Sequence, residues 1–186
     1  TLTVELTDPP VAPTNDTCGT AETLVFTDNG NGTSTATVSG DTPIATNDNV
    51  PDAEVSCSSS ADQDGQEVVY LLHLDTPQHA RVVVTPSGSY EPAVYIRAGS
   101  AECANDSAEI ACVTFSSGPT IVEPNGVLDA GDYFIWVDTY VEQPGAFSME
   151  VTLTDPTTAC GNGIVDTSLG ETCDDGPPAD GDGCSA

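Results

Sequence analysis

Along the first 155 residues, apolar side chains come in short runs with a period of two, broken by clusters of Gly, Pro, Asn and Asp. Such runs, rich in β-branched and aromatic residues, predict an all-β chain. The stretch TLVFTDNGNGTSTATVSG (23–40) predicts a hairpin, because its two Asn-Gly pairs supply the φ > 0 positions of a tight turn. The polar stretch that follows, DTPIATNDNVPDAEVSCSSSADQDG, can bury no face and reads as a long loop. A loop of that length calls for a function, or for a staple such as a disulfide at Cys57. EVVYLLHLDT (67–76) sets Tyr70, Leu72 and Leu74 on one face and His73 on the other, and ARVVVTP (80–86) is expected to pair with it. PAVYIRAG, EIACVTF, PTIVEP, DYFIWVDTY and GAFSMEVTLTD continue the series, with GVLDAGDY as the turn between edge and centre. The total is eight or nine strands at the spacing of an antiparallel β-sandwich. After Pro156 the pattern stops: CGNGIVDTSLGETCDDGPPADGDGCSA has almost no apolar core and needs disulfides or metal to be ordered.

One segment occurs nearly twice. TLTVELTDPP (1–10) aligns without a gap on SMEVTLTDPT (148–157), matching at Val4, Leu6, Thr7, Asp8 and Pro9. The second copy closes the body of the chain. The first is therefore expected to pair outside the sandwich that follows it, through Leu2, Val4 and Leu6, with a preceding unit or a neighbouring subunit. A strand added in this way uses a free sheet edge. The contact is heterologous and need not close, so it builds stalks or filaments. The expected organisation is a strand and linker of an adjacent unit (1–12), a sandwich (13–156) and a small disulfide-rich C-terminal module (157–186).

Charge alters the picture most. Thirty acidic residues in a chain of 186 face only Arg81 and Arg97, with no Lys, for a net charge of −28. That charge repels phosphate backbones and excludes nucleic acid as a partner. It also opposes compaction unless cations offset it, bound calcium or a salty habitat being the simplest source. No apolar run approaches the length of a membrane-spanning helix. The seven cysteines, Cys18, Cys57, Cys103, Cys112, Cys160, Cys173 and Cys184, include no CxxC pair. Disulfides in an extracellular or cell-surface compartment are the better reading, with one thiol left over by the odd count.

Catalytic chemistry finds little support. His73 and His79 are the only histidines; the first reads as outward-facing and the second as a turn residue. No GxSxG, HExxH or P-loop pattern occurs. An acidic hydrolase would need two carboxyl groups with raised pKa in one deep cleft. Trp136, alternating with Phe134 and Asp138, reads as one face of a sheet and not as a sugar platform. Three Asn-x-Ser/Thr sequons lie at Asn15, Asn31 and Asn105, and Asn31 is on the exposed turn.

The ordered motifs NDTCGTAETL, QEVVYLLHL, PAVYIRAGSAEC, AEIAC and LDAGDYFIWVDTYVEQPGAFSMEVTL resemble the bacterial pre-peptidase C-terminal domain over residues 13–155. The resemblance implies a non-catalytic β-sandwich of jelly-roll-like topology attached to secreted enzymes or surface proteins. Relatives that bind collagen hold calcium near their N-terminal Asn-Asp pair. By that likeness Asn15 and Asp16, with Asp62 and Asp64, are expected calcium ligands, since Ca²⁺ needs six to eight oxygens from separate loops. The alternative is an Asx-turn at Asn15 and Asp16 that caps the start of the sandwich. The sequence departs from the relatives after AEIAC, where VTF replaces an expected Asn/Asp pair. A Cys103–Cys112 hairpin staple is also typical of that family, and Cys18–Cys57 is the next pairing expected.

Residues 160–186 resemble a cysteine-rich repeat of myxobacterial surface proteins, CGNG…GETCDDG…GDGCS, with an insertion at Ser168 and Leu169 and with Pro177 in place of the usual Asn. In that repeat a further cysteine follows GDGCS, which implies a partner for Cys184 beyond Ala186. Asn162, Asp166, Glu171, Asp174, Asp175, Asp180 and Asp182 are candidate calcium ligands there, or equally solvated acidic turns held by disulfides. The functional expectation is a calcium- and disulfide-stabilised structural module assembling with like subunits or adjacent repeats. The alternative is a polymer- or carbohydrate-binding module accompanying a secreted hydrolase, which would show an exposed aromatic strip.

Overall fold

The computed structural model describes residues 11–48, 65–99, 109–114, 118–139 and 144–156, together with residues 165 and 173. Ten strands run through them: β1 Glu22–Thr23, β2 Thr27–Asp28, β3 Thr33–Asp41, β4 Val68–Leu74, β5 His79–Pro86, β6 Pro92–Ala98, β7 Glu109–Thr114, β8 Thr120–Val122, β9 Gly131–Thr139 and β10 Ala146–Thr154. They form two five-stranded sheets, β1-β4-β9-β6-β7 and β2-β3-β10-β5-β8. Apart from the parallel β1–β4 contact, every pairing is antiparallel. Without the two short first strands, the remaining eight alternate between the sheets as β4-β9-β6-β7 and β3-β10-β5-β8. That order is the jelly roll of two Greek keys.

Period-two burial drives the packing. In β10, Phe147, Met149, Val151 and Leu153 are buried while Ala146, Ser148 and Glu150 are exposed. They meet Val68, Tyr70, Leu72 and Leu74 of β4 and Val82 and Val84 of β5 in the core between the sheets. β4, β6 and β9 are buried almost continuously, as strands covered on both faces are. The outward face of this sheet carries a second cluster, Val69, Tyr95, Phe134 and Trp136 with Cys112 of β7, against which Cys18, Ala21 and Leu71 pack.

Two expectations are corrected here. Residues 80–86 do not pair with 67–76: β5 lies in the other sheet, between β10 and β8. Pro77 in the link has no ladder donor, and Gln78 exchanges both backbone hydrogen bonds with Leu128 (2.9 and 2.8 Å), which carries the chain across the core. The 23–40 hairpin is also shorter than its sequence suggests. Only Thr27 and Asp28 pair with β3, while Glu22 and Thr23 belong to the opposite sheet. Its turn does use the Asn-Gly pairs, with Gly30 and Gly32 both at φ 76°. Residues 1–10, most of the long loop, and the C-terminal module other than Val165 and Cys173 lie outside the described residues, and so do the expectations placed on them.

Candidate functional site

The most distinctive surface feature among the described residues is a strand edge without a ladder partner. β3 pairs with β10 along its whole length, Thr33 to Asp41. On its other side it meets β2 at Ser34 and Thr35 alone. From Ala36 to Asp41 that second edge has no partner among the described residues. Thr33 accepts a bond from Asn29 N–H on this side at 3.0 Å. By strand alternation the N–H and C=O of Thr37, Ser39 and Asp41 also point outward here. The side chains of Thr37, Ser39 and Asp41 are exposed, while Val38 is half-buried and packs on the core. Gly40 has no room for a side chain: a Cβ there would press on the Tyr70 hydroxyl and the Phe147 ring. A strand arriving at this edge would meet a row of backbone groups that no described residue uses, over a partly apolar floor.

The Asn15–Asp16 pair, expected to bind calcium, is used in the fold itself. Asn15 is buried on the edge of β4, where its carbonyl accepts from Val69 N–H at 2.9 Å and its Nδ2 donates to Val69 O at 3.2 Å. The carboxamide thus stands in for a backbone donor. It also donates toward Tyr70, but burial dominates and lifts that phenol to about 12. Asp16 accepts from Thr46 N–H at 2.6 Å and from Thr46 Oγ1 at 3.1 Å. Thr46 Oγ1 also approaches Asp48 Oδ2 at 2.7 Å, and Asp48 N–H donates to Glu67 Oε1 at 2.6 Å. Two carboxylates, Asp16 and Asp48, thus meet at the Thr46 hydroxyl, whose single proton cannot satisfy both, and Glu67 is tied to them through the Asp48 N–H. Asp48 and Glu67 were missed in the sequence, because nothing local marks them out from thirty acidic residues. Among the described residues no group of three His, Cys, Asp or Glu side chains is arranged to hold a metal. Asp62 and Asp64 lie outside the described residues, as do Asn162, Asp166, Glu171, Asp174, Asp175, Asp180 and Asp182. Cys18, Cys112 and Cys173 are each disulfide-bonded; Cys57, Cys103, Cys160 and Cys184 lie outside the described residues.

His73 is exposed, as expected, with Nδ1 2.6 Å from Asp132 Oδ1 and Nε2 3.4 Å from Asp75 Oδ1. The hydrogen bond that its Nδ1–H donates to Asp132 is the main cause of its raised pKa, and Asp75 adds to it. Both ring nitrogens face carboxylates, so neither is left to activate a hydroxyl. His79 is the first residue of β5, opposite Thr154, and not a turn residue. It borders an open hollow of ≈ 470 Å³ that also contains the Arg81–Glu123 ion pair (2.8 Å).

On the outward face of β4, β9 and β6, Tyr95 and Trp136 stack, and the Arg97 guanidinium lies over both. All three are fully buried, and no described aromatic side chain is exposed. The exposed aromatic strip required by a polymer-binding surface is absent among the described residues.

No protein-family model matches the chain, and no curated protein matches it in sequence. Among solved structures it is similar to the pre-peptidase C-terminal domain of a collagenase from Bacillus anthracis, at 13% identity, with 78% of this chain and 99% of that one covered and a TM-score of 0.43. It is also similar to a family 35 carbohydrate-binding module from an environmental isolate, at 14% identity, covering 61% of this chain and 87% of that one with a TM-score of 0.34. A family 35 module from Cellvibrio japonicus follows at 8% identity, 64% and 90% coverage and a TM-score of 0.32. Likeness at this level carries no argument about what the present chain binds or does.

Proposed function

We propose that this chain is a non-catalytic structural module of an extracellular or cell-surface protein, joined in series to like units by strand addition. The edge of β3 that has no partner among the described residues carries this reading. The strand it receives has the sequence of residues 1–10, supplied by an adjacent unit, whose Leu2, Val4 and Leu6 repeat the inward row Met149, Val151 and Leu153 of β10. In an antiparallel register Leu6 lies opposite Ala36, Val4 opposite Val38 and Leu2 opposite Gly40. Thr3 and Glu5 then face Ser39 and Thr37, whose backbone groups point outward. Thr7 and Asp8 fall where β2 already holds Thr35 and Ser34, so the added ladder ends at Leu6, and Pro9 and Pro10 beyond it could not extend a ladder because they have no N–H.

Calcium near Asp16 is part of the same proposal, with Asp62 and Asp64 as the further ligands that the resemblance implies. An all-oxygen donor set suits a hard cation, and the chain has no lysine to neutralise the acidic charge. When bound, the ion would supply charge neutralisation. Disulfides add covalent ties to the same framework. Among the described residues no helix is long and apolar enough to cross a membrane.

Hydrogen exchange across a concentration series of the full chain tests the strand contact. The amides of Thr37 and Ser39 should gain protection as concentration rises, while exposed turn amides such as Gly30 do not. Exchange at Thr37 and Ser39 that is independent of concentration would overturn it.

A further inference from the structure

We propose that Asn31 is a glycan acceptor of the folded protein, and that the folded chain rejects a glycan at its other described sequon, Asn15. Both residues begin an Asn-x-Thr triplet, the acceptor pattern for N-linked sugar on secreted proteins. The fold separates them completely.

Asn31 is exposed at the tip of the β2–β3 hairpin, between Gly30 and Gly32, with no neighbouring atom around the Cβ position of Gly30. Its Oδ1 accepts the Thr33 hydroxyl at 2.6 Å. Thr33 Oγ1 in turn accepts from Asn29 Nδ2 at 3.0 Å, and that amide also donates to Thr35 Oγ1 at 2.9 Å. The neighbouring Gly30 N–H donates to Asp28 Oδ1 at 2.7 Å. The turn is thus held by bonds that leave Asn31 Nδ2 without a partner among the described residues, and the two triplet side chains already touch. At Asn15 the same nitrogen is committed to Val69 O, and the residue is 6% exposed on the edge of β4. A sugar there would break that bond and lift residues 15–18 off the strand.

The acceptor chemistry balances without a redox partner. Asn31 Nδ2 bonds to the anomeric carbon of a sugar activated as a glycosyl pyrophosphate, on a nucleotide or a lipid carrier. The carbon–oxygen bond to the pyrophosphate breaks, the pyrophosphate departs with the electron pair, and one amide proton passes to a base of the transferase. A glycan on this turn would cover an exposed hairpin tip.

Two measurements on the full chain decide this. In protein recovered from its natural source, release of glycans by an amidase in heavy-oxygen water should convert Asn31, and not Asn15, to labelled Asp. In purified folded protein treated with a sequon-specific N-glycosyltransferase and a nucleoside diphosphate hexose, peptide mapping should find hexose on Asn31 and none on Asn15. The reduced and denatured chain should accept it at both. Thr33→Ser should keep the modification, and Asn31→Gln and Thr33→Ala should lose it with melting temperatures close to the parent's. Unmodified Asn31 in the natural protein, or equal modification of Asn15 in the folded chain, overturns the proposal.

Discussion

Tyr95 and Trp136 stack with ring centroids 5.8 Å apart and planes 8° from parallel, and the Arg97 guanidinium carbon lies 4.8 Å from one ring centre and 5.5 Å from the other. The strand register explains the contact: Tyr95 lies directly opposite Trp136 in the β6–β9 ladder, and Arg97 is two residues further along the same face. One of the only two cationic residues outside the histidines is thereby buried, and Asp138, Arg97, Glu67 and Glu109 all act on the Tyr95 hydroxyl. Burial of the ring is nevertheless the main cause of that phenol's strongly raised pKa.

Replacing Arg97 should be costly even by a residue of similar length. Arg97→Met removes the cation from among buried carboxylates and should cost about 3–5 kcal/mol in chemical denaturation. Arg97→Lys keeps the charge, loses the planar stacking and should cost about 2 kcal/mol. A wild-type midpoint for both would contradict this packing.

Tyr95→Phe should behave in the opposite way. The Tyr95 hydroxyl is buried with no hydrogen-bond partner among the described residues. Removing it should leave stability unchanged or raise it by about 1 kcal/mol, as measured in the same unfolding experiment. A loss larger than that would mean the hydroxyl is bonded.

Two glycines are set by space and not by turn conformation. A Cβ at Gly65 would collide with the Thr139 backbone carbonyl, and one at Gly145 would lie 2.5 Å from Tyr90 Cβ. Gly65→Ala and Gly145→Ala should each lower stability by about 1–3 kcal/mol through overpacking, whereas Gly118→Ala, which meets nothing, should not. Thermal melts of the three variants check the contrast.

Two pH responses follow from the geometry. His73 has a raised pKa, so its ion pairs with Asp132 and Asp75 are fully present below the ordinary histidine value of 6.5 and are lost as pH rises through the folded value. Asp132→Asn should lower the His73 pKa in an NMR titration. Tyr70 ionises at 10.0 when unfolded and at about 12 when folded, so the folded state loses stability as pH climbs from the first value to the second. Tyrosinate absorbance should therefore rise together with unfolding, and a full tyrosinate signal near pH 10 from a folded chain would contradict the burial of Tyr70.

Chelation tests calcium near Asp16. EGTA should lower the melting temperature of the full chain, and excess calcium should restore it. Asp16→Asn keeps an acceptor for Thr46 N–H but removes a charge, so its melting temperature should respond less to calcium. An unchanged melt with EGTA removes calcium from the account.

Much of this fold is legible in the sequence, because one face of most strands is solvent-exposed and alternation survives. Met149, Val151 and Leu153 announce the inward face of β10, and the Asn-Gly pairs announce the β2–β3 turn. Alternation fails where both faces are buried. VVYLLHL places Val69 on the outward face and Val68 in the core with no change of residue type, so the second cluster around Trp136 is invisible in the pattern. The sheet to which β5 belongs depends on the Gln78–Leu128 bridge, fifty residues apart in sequence, and local spacing cannot supply it. Of the candidate site, Asn15 and Asp16 were visible as a motif, but their bonds to Val69 and Thr46 were not. Those partners are ordinary strand and loop residues, chosen only by where the chain folds back.

The central claim is that residues 1–10 of one unit add to the Ala36–Asp41 edge of another. Sedimentation velocity of the full chain over a concentration series tests it most directly, alongside Val4→Asp in the added strand and Ser39→Pro at the receiving edge. The Ser39 N–H points away from β10, so proline there removes a donor that the sandwich itself does not use. The account predicts open-ended association of the parent chain and folded monomers for both variants. A parent chain that stays monomeric at every concentration, or variants that associate as the parent does, would contradict it.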